Sequence, residues 1–225
     1  MKRSEINALI CDAFDFCKKM NFHLPPFASW SPEEWKTKNA EYNEIRDNML
    51  GWDITDFGSG DYNKVGLLMF TIRNGNFHDP QYTKPYAEKL LLVDENQYTP
   101  YHFHPCKMED IINRGGGNLL IKLYNSTPDG EFADTDVLVQ SDGRRYTVPA
   151  GSVIRLTPGE SITLYQGLYH TFWGEEGCGR VFVGEVSTTN DDTSDNHFYE
   201  PTGRFPEIEE DEPARFLLCN EYPKG

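Results

Sequence analysis

From Gly66 onward the chain is a succession of short apolar or alternating runs, each closed by Gly, Pro, Asn, Asp or Ser. Residues 66–73, 90–93, 118–124, 137–140, 145–148, 153–156, 161–165 and 180–186 carry the clearest of them. Ser141-Asp142-Gly143 is a hairpin-type turn between two of these runs. Eight or more short strands at this spacing imply a sandwich or barrel. Before Gly51 the texture is helical. Ser4 stands where a cap is wanted, and Ile6, Leu9, Ile10, Ala13, Phe14, Cys17 and Met20 recur at helical spacing, so a helix is expected over residues 4–20. Leu24-Pro25-Pro26 ends it. Ser31-Pro32-Glu33-Glu34 is a second start signal, for a helix running to about Met49 with Trp35, Tyr42, Ile45 and Met49 on its buried face. The expected organisation is one structural domain: a helical segment over residues 1–50, then a β-barrel over residues 51–225 that ends in an irregular tail from Glu200.

One stretch among the strands carries chemistry. Thr99-Pro100-Tyr101-His102-Phe103-His104-Pro105-Cys106-Lys107-Met108-Glu109 places two His two apart and a carboxylate five residues later. On a strand, His102 and His104 share a face, roughly 7 Å apart at their Cα atoms, so both rings can reach one metal ion. Glu109 could supply a third ligand after a turn or from the next strand. His170, in Gln166-Gly167-Leu168-Tyr169-His170-Thr171-Phe172-Trp173, is the best fourth. Imidazole with carboxylate suits Mn, Fe, Zn, Ni or Co and needs no thiolate. The bland alternative is a chance His pair on a solvated strand; Pro100, the spaced Glu109, the turn at Gly115-Gly116-Gly117 and the later His170 weigh against it.

Further polar residues gather around this motif. Alternation in Gly179-Arg180-Val181-Phe182-Val183-Gly184-Glu185 puts Val181, Val183 and Glu185 on one face, toward the barrel interior. A carboxylate in such a row is costly unless paired, so Glu185 is either a satisfied structural group or a base beside a bound substrate. Lys107, two residues before Glu109, would face the site if that segment is extended, and could steady an anionic oxygen or donate a proton. Lys89 opens an apolar strand and could touch a substrate from the barrel mouth. Phe172 and Trp173 could stack on a bound substrate, though core packing is the expected role for at least one of them.

The formal charge of −15 argues against nucleic-acid or anionic-membrane partners, which need a basic surface. The acidic run over residues 207–212 reads as solvated. No run of 18 apolar residues suggests a membrane span, and Asn7, Asp12 and Asp15 interrupt any signal-peptide core, so a cytoplasmic location is expected. The five Cys include no C-x-x-C and read as free thiols.

Residues 99–117 resemble the first metal motif of the cupin superfamily, G-x₅-H-x-H-x₃₋₄-E-x₆-G, with Asn96 in place of the opening Gly. Gly143, Pro149 and Gly151 resemble the first half of the second motif. Ile154 stands where that motif has its His, and His170 arrives after an excursion through Leu156-Thr157-Pro158-Gly159-Glu160. More specifically, Lys89-Leu90-Leu91-Leu92-Val93, Gln97-Tyr98-Thr99-Pro100-Tyr101-His102-Phe103-His104, Lys107-Met108-Glu109-Asp110-Ile111-Ile112 and Gly115-Gly116-Gly117 resemble, in order and spacing, the cupin-type D-lyxose isomerases. The resemblance implies an antiparallel double-stranded β-barrel (jelly roll) behind the helical segment, a homodimer, and one divalent metal, Mn²⁺ first, with Zn²⁺, Co²⁺, Ni²⁺ or Fe²⁺ as alternatives. It implies a monosaccharide substrate: D-lyxose and D-xylulose, and more weakly D-mannose and D-fructose. Proton transfer through an enediol would use Glu185 as base and Lys107 as acid, with a hydride shift as the competing route. The resemblance also places the acidic pair Asp191-Asp192 and Arg204 over the site. The rival readings are a cupin dioxygenase, which would want an apolar aromatic cavity, and a non-catalytic sugar-binding cupin.

Overall fold

The computed structural model describes residues 1–192 and 194–224. The helical segment contains α1 (Arg3–Lys19), α2 (Pro32–Trp35) and α3 (Asn43–Asp47), with short 3₁₀ turns at Pro26–Ser29 and Ala40–Tyr42. The strands are β1 (Gly51–Thr55), β2 (Leu67–Arg73), β3 (Tyr86–Val93), β4 (His102–Phe103), β5 (Glu109–Gly116), β6 (Leu119–Asn125), β7 (Val137–Ser141), β8 (Arg144–Val148), β9 (Val153–Leu156), β10 (Ser161–Leu164), β11 (Leu168–Gly174), β12 (Val181–Thr188) and β13 (His197–Phe198). They form two antiparallel sheets, β1-β2-β3-β12-β5-β10-β7-β8 and β13-β4-β11-β6-β9. The double-stranded antiparallel barrel expected above is the fold.

Strand alternation splits the apolar residues into two cores. Leu67, Met69, Leu91, Val93, Val181 and Val183 point between the sheets and meet Leu119, Ile121, Leu123 and Phe172 of the smaller sheet. Leu68, Phe70, Leu90, Leu92 and Phe182 point the other way, onto Ile6, Ile10, Ala13 and Cys17 of α1. Burial on both faces explains why β2 and β3 read as unbroken apolar runs. At the β7–β8 turn, Asp142 and Gly143 both have positive φ, 49° and 82°, as a two-residue hairpin of this twist requires.

Two helical expectations are corrected. The capping box at Ser31 and Glu34 forms, but the helix it starts ends at Trp35. Asn39 caps a new turn through its side chain, and the Arg46 guanidinium takes the carbonyls of Lys38, Asn39 and Pro223, which holds the chain in a broken path. Trp35 is buried and stacks on Tyr222, whereas Met49, at φ 54°, is 40% exposed. Ser4 does not cap α1. Its backbone N–H and hydroxyl donate to Asp211 at 2.9 and 2.6 Å, and Arg3 N–H donates to the carbonyl of Glu209. The acidic run is therefore not simply solvated: it supplies anionic acceptors to the positive end of a helix. Arg3, 2% exposed, adds ion pairs to Glu210 and Glu221. The aromatic rings of the helical segment pack on the chain itself, with Phe14 on Trp52, Phe16 and Phe22 on Phe182, and Trp30 on Trp35.

α1 has two charged residues in its last turn and no side-chain cap of its own, so its buried face should dominate its stability. Ile10 is fully buried against the larger sheet. Ile10→Ala is expected to lower the unfolding free energy by about 2–5 kcal/mol, measured as a shift in the urea midpoint at unchanged slope.

Candidate active site

β4 and β11 are neighbours, and His102 pairs directly with His170. Paired residues share a face, so both rings enter the space between the sheets. His104 follows two residues after His102, and Glu109 opens β5 in the opposite sheet. The ring nitrogens of His102, His104 and His170 lie within 4.8 Å of one another. In each ring Nδ1 faces a backbone carbonyl: His102 to Pro100 at 2.9 Å, His104 to Asp195 at 2.7 Å and His170 to Leu168 at 3.0 Å. A carbonyl can only accept, so each Nδ1 carries the proton and each Nε2 is left with a lone pair.

Those lone pairs converge on an acceptor. Glu109 Oε1 is 3.4 Å from Nε2 of both His104 and His170. His170 Nε2 is buried with no hydrogen-bond partner among the described residues. Burial holds His102 well below its ordinary pKa and His170 down at about 4, so both rings are neutral at pH 7. Burial alone would raise Glu109, but the Lys107 ammonium outweighs it and holds the carboxylate well below its ordinary pKa. Neutral imidazoles and a carboxylate facing one another across a buried gap fit a divalent cation, and three His with one carboxylate suit a borderline metal.

Beside this cluster lies a row of alternating charges. Lys107 Nζ is 2.6 Å from Glu109 Oε2 and 3.0 Å from Glu185 Oε1. Lys89 Nζ is 3.6 Å from Glu185 and 3.2 Å from Asp192. Arg204 is 3.3 Å from Asp192 and 3.2 Å from Asp53. The placement follows from register. Glu185 on β12 lies opposite Lys89 on β3, and Val181 and Val183 share its inward face. Burial alone would lower the Lys107 pKa; Glu109, Glu185 and Asp192 outweigh it and hold the side chain as an ammonium. Lys107, Glu109, Glu185, Lys89, Asp192 and Arg204, with Thr99, Asn196, Phe172 and Phe198, line one solvent-connected cavity.

His102, His104, Glu109, His170, Lys107, Glu185, Lys89 and Arg204 all line this cavity. Trp173 and Asp191 do not. His170 and Phe172 point inward on β11, so alternation turns Trp173 to the other face, and Phe172 forms the aromatic wall. Asp191 lines an adjacent cavity, where it faces His78 at 3.1 Å and accepts from the Ser194 hydroxyl at 2.7 Å. Its neighbour Asp192 reaches Lys89 and Arg204 instead. Which member of the Asp191-Asp192 pair faces the cavity shows in contacts with Lys89 and Arg204, distant in sequence, and has no local sequence signal. Asn196, Phe198 and Asp195 carry no sequence signal either. They arrive on a segment that the barrel motifs do not mark.

A family model described as D-lyxose isomerase matches residues 1–222. A D-lyxose/D-mannose isomerase of Escherichia coli O157:H7 is 51% identical over 223 residues, covering 99% of this chain and 98% of that protein. The chain belongs to the D-lyxose isomerase family. It is an enzyme of the sugar isomerase class. The D-lyxose/D-mannose isomerase of Serratia proteamaculans is 50% identical over the same share of both chains. Among solved structures, the L-ribose isomerase of Geodermatophilus obscurus aligns with a TM-score of 0.62 at 15% identity, covering 93% of this chain and 98% of that one. This likeness agrees with the cupin fold seen here. No helix among the described residues is long and apolar enough to cross a membrane.

The neutral imidazoles make stability of the metal-free protein fall in mild acid. His170 resists protonation down to about pH 4 when folded, whereas an unfolded His accepts a proton near pH 6.5. Its contribution is intact above pH 6.5 and is lost as pH falls toward 4. Between pH 7 and pH 5, His170 alone accounts for about 2 kcal/mol. Denaturant unfolding of chelator-treated protein should show that loss at pH 5, and His170→Gln should show a smaller one.

Proposed function

We propose that this chain is a metal-dependent aldose–ketose isomerase that interconverts D-lyxose and D-xylulose, and D-mannose and D-fructose more weakly, by proton transfer through an enediol. The observation that carries the reading is that Lys107 bridges Glu109 and Glu185, at 2.6 and 3.0 Å, inside one cavity. That contact sets a candidate ligand and a candidate base on either side of one ammonium. D-lyxose and D-mannose are the aldoses in the relatives' names, and D-xylulose and D-fructose are the 2-ketoses that isomerisation would make from them.

His102, His104, Glu109 and His170 would hold one divalent ion, Mn²⁺ first. Such an ion acts as a Lewis acid and raises the acidity of hydrogen on the carbon beside a carbonyl. Glu185 would take the proton from C2 of an open-chain aldose and return it to C1. Its Oε1 has two ammonium neighbours, Lys107 and Lys89, which hold the carboxylate in place. Lys107 would donate to the oxygen on which negative charge develops. Lys89, Asp192 and Arg204 would bind the hydroxyls further along the sugar, with Phe172 against its C–H face. The Lys, Glu, Asp, Asn and Arg side chains on the cavity wall favour a polyol over the apolar substrate of a dioxygenase. A homodimer located in the cytoplasm belongs to the same proposal, and light scattering tests the dimer.

Chelator-treated protein should lose D-lyxose isomerisation and regain it with Mn²⁺. Replacing His102 and His104 together with Ala should abolish stoichiometric Mn²⁺ binding; metal retained by that variant counts against the ligand set.

Glu185→Gln should lower turnover by about 10²–10⁴-fold at unchanged metal content and unfolding temperature. Turnover near that of the wild type removes Glu185 as the base. In D₂O, deuterium entering the product at the carbon that gains hydrogen supports proton transfer, and its complete exclusion supports a hydride shift.

A further inference from the structure

The three imidazoles are not oriented in the same way. His102 and His170 donate to carbonyls two residues back in their own chain segments, Pro100 and Leu168. His104 donates to the carbonyl of Asp195, 91 residues away in sequence, at 2.7 Å. The side chain of Asp195 is fixed as well. Its Oδ1 accepts from the backbone N–H of Cys106 at 2.7 Å, and its Oδ2 accepts from that of Lys107 at 2.8 Å. Asp195 is 7% exposed.

We propose that Asp195 is a positioning residue for the active site. One residue fixes two things at once. Its carboxylate clamps the backbone from which the Lys107 side chain leaves, and that double bond in turn holds its own carbonyl against His104. A carboxylate accepting one N–H on each oxygen has a defined plane, so the carbonyl attached to the same residue has a defined direction. The segment carrying Asp195 also delivers Asp192 to Lys89 and Asn196 and Phe198 to the cavity wall. The orientation of His104 therefore depends on the docking of a chain segment far from its own strand. The orientations of His102 and His170 do not.

The inference rests on the metal-dependent reading above. Asp195→Asn is close to isosteric. It keeps one acceptor and turns an NH₂ group toward a backbone N–H, so it breaks the clamp without emptying the site. Asp195→Ala removes both acceptors. Partners that orient a metal-binding His are typically worth about 10–100-fold in affinity. Calorimetric titration of the metal-free protein with Mn²⁺ should show binding weakened by about that factor in Asp195→Asn, and by more in Asp195→Ala. The unfolding temperature of metal-free Asp195→Asn should stay close to that of the wild type. Its kcat should fall more than its KM for D-lyxose changes, because Lys107 and His104 shift while the hydroxyl-binding side chains remain. Imidazole ¹⁵N spectra of the metal-free protein give a readout that general loosening would not produce: the protonated Nδ1 of His104 should be lost or exchange faster, while those of His102 and His170 persist. Wild-type Mn²⁺ affinity and an unaltered His104 signal in Asp195→Asn overturn the inference alone. So does a loss of affinity in which all three His signals and the metal-free unfolding temperature fall together, since Asp195 would then be structural. Wild-type protein that binds no Mn²⁺ overturns the reading of function and this inference with it.

Discussion

The Glu109 carboxylate divides its oxygens between an ammonium and two imidazoles. One oxygen is 2.6 Å from Lys107; the other faces the lone pairs of His104 and His170 at 3.4 Å. A buried carboxylate is costly, and a single cation offsets only part of the cost. The second oxygen needs positive charge on the side where the rings converge. With Lys107 already committed to Glu109 and Glu185, that charge is best supplied by a bound ion. Much of the cavity's polar architecture follows from this division, because the Lys that stabilises Glu109 also brings Glu185 to within one hydrogen bond of it.

The barrel makes such a charge cluster affordable by surrounding it with layers that are otherwise apolar. Val181 and Val183 precede Glu185 on the inward face of β12, and Leu91 and Val93 follow Lys89 on β3. The polar groups occupy one end of the inter-sheet space, and the hydrocarbon below them is fully buried. On the far side of the larger sheet, α1 covers the other face of the same strands. The helix therefore has no place in the site but supports the strands on which Lys89 and Glu185 stand.

Period-two alternation made much of this legible from residue order alone. It placed His102 with His104 and Glu185 with Val181 and Val183, and the structure brings those faces together. The strand runs were legible for the same reason, and burial on both faces explains the ones that did not alternate. What was not legible depends on partners far away in the chain. The broken path after Trp35 depends on Arg46 reaching Pro223. The cap of α1 comes from Asp211 and not from Ser4. Asp192 faces the cavity in place of Asp191, where it meets Lys89 and Arg204 from distant parts of the chain. Trp173 could have been set aside from alternation alone, since it follows inward-facing His170 by an odd number of residues.

The row of charges has a further consequence for what the cavity can admit. Lys107, Lys89 and Arg204 each touch two carboxylates, so each cation already has an anion on either side. A phosphate ester entering the cavity would bring further negative charge to a row in which four carboxylates, Glu109, Glu185, Asp192 and Asp53, already share these three cations. A neutral hydroxyl adds no charge: it can donate to Asp192 and accept from Arg204 while their ion pair stays closed. If the cavity takes a sugar as proposed, this row of charges would select by charge before shape, favouring free sugars over their phosphorylated counterparts.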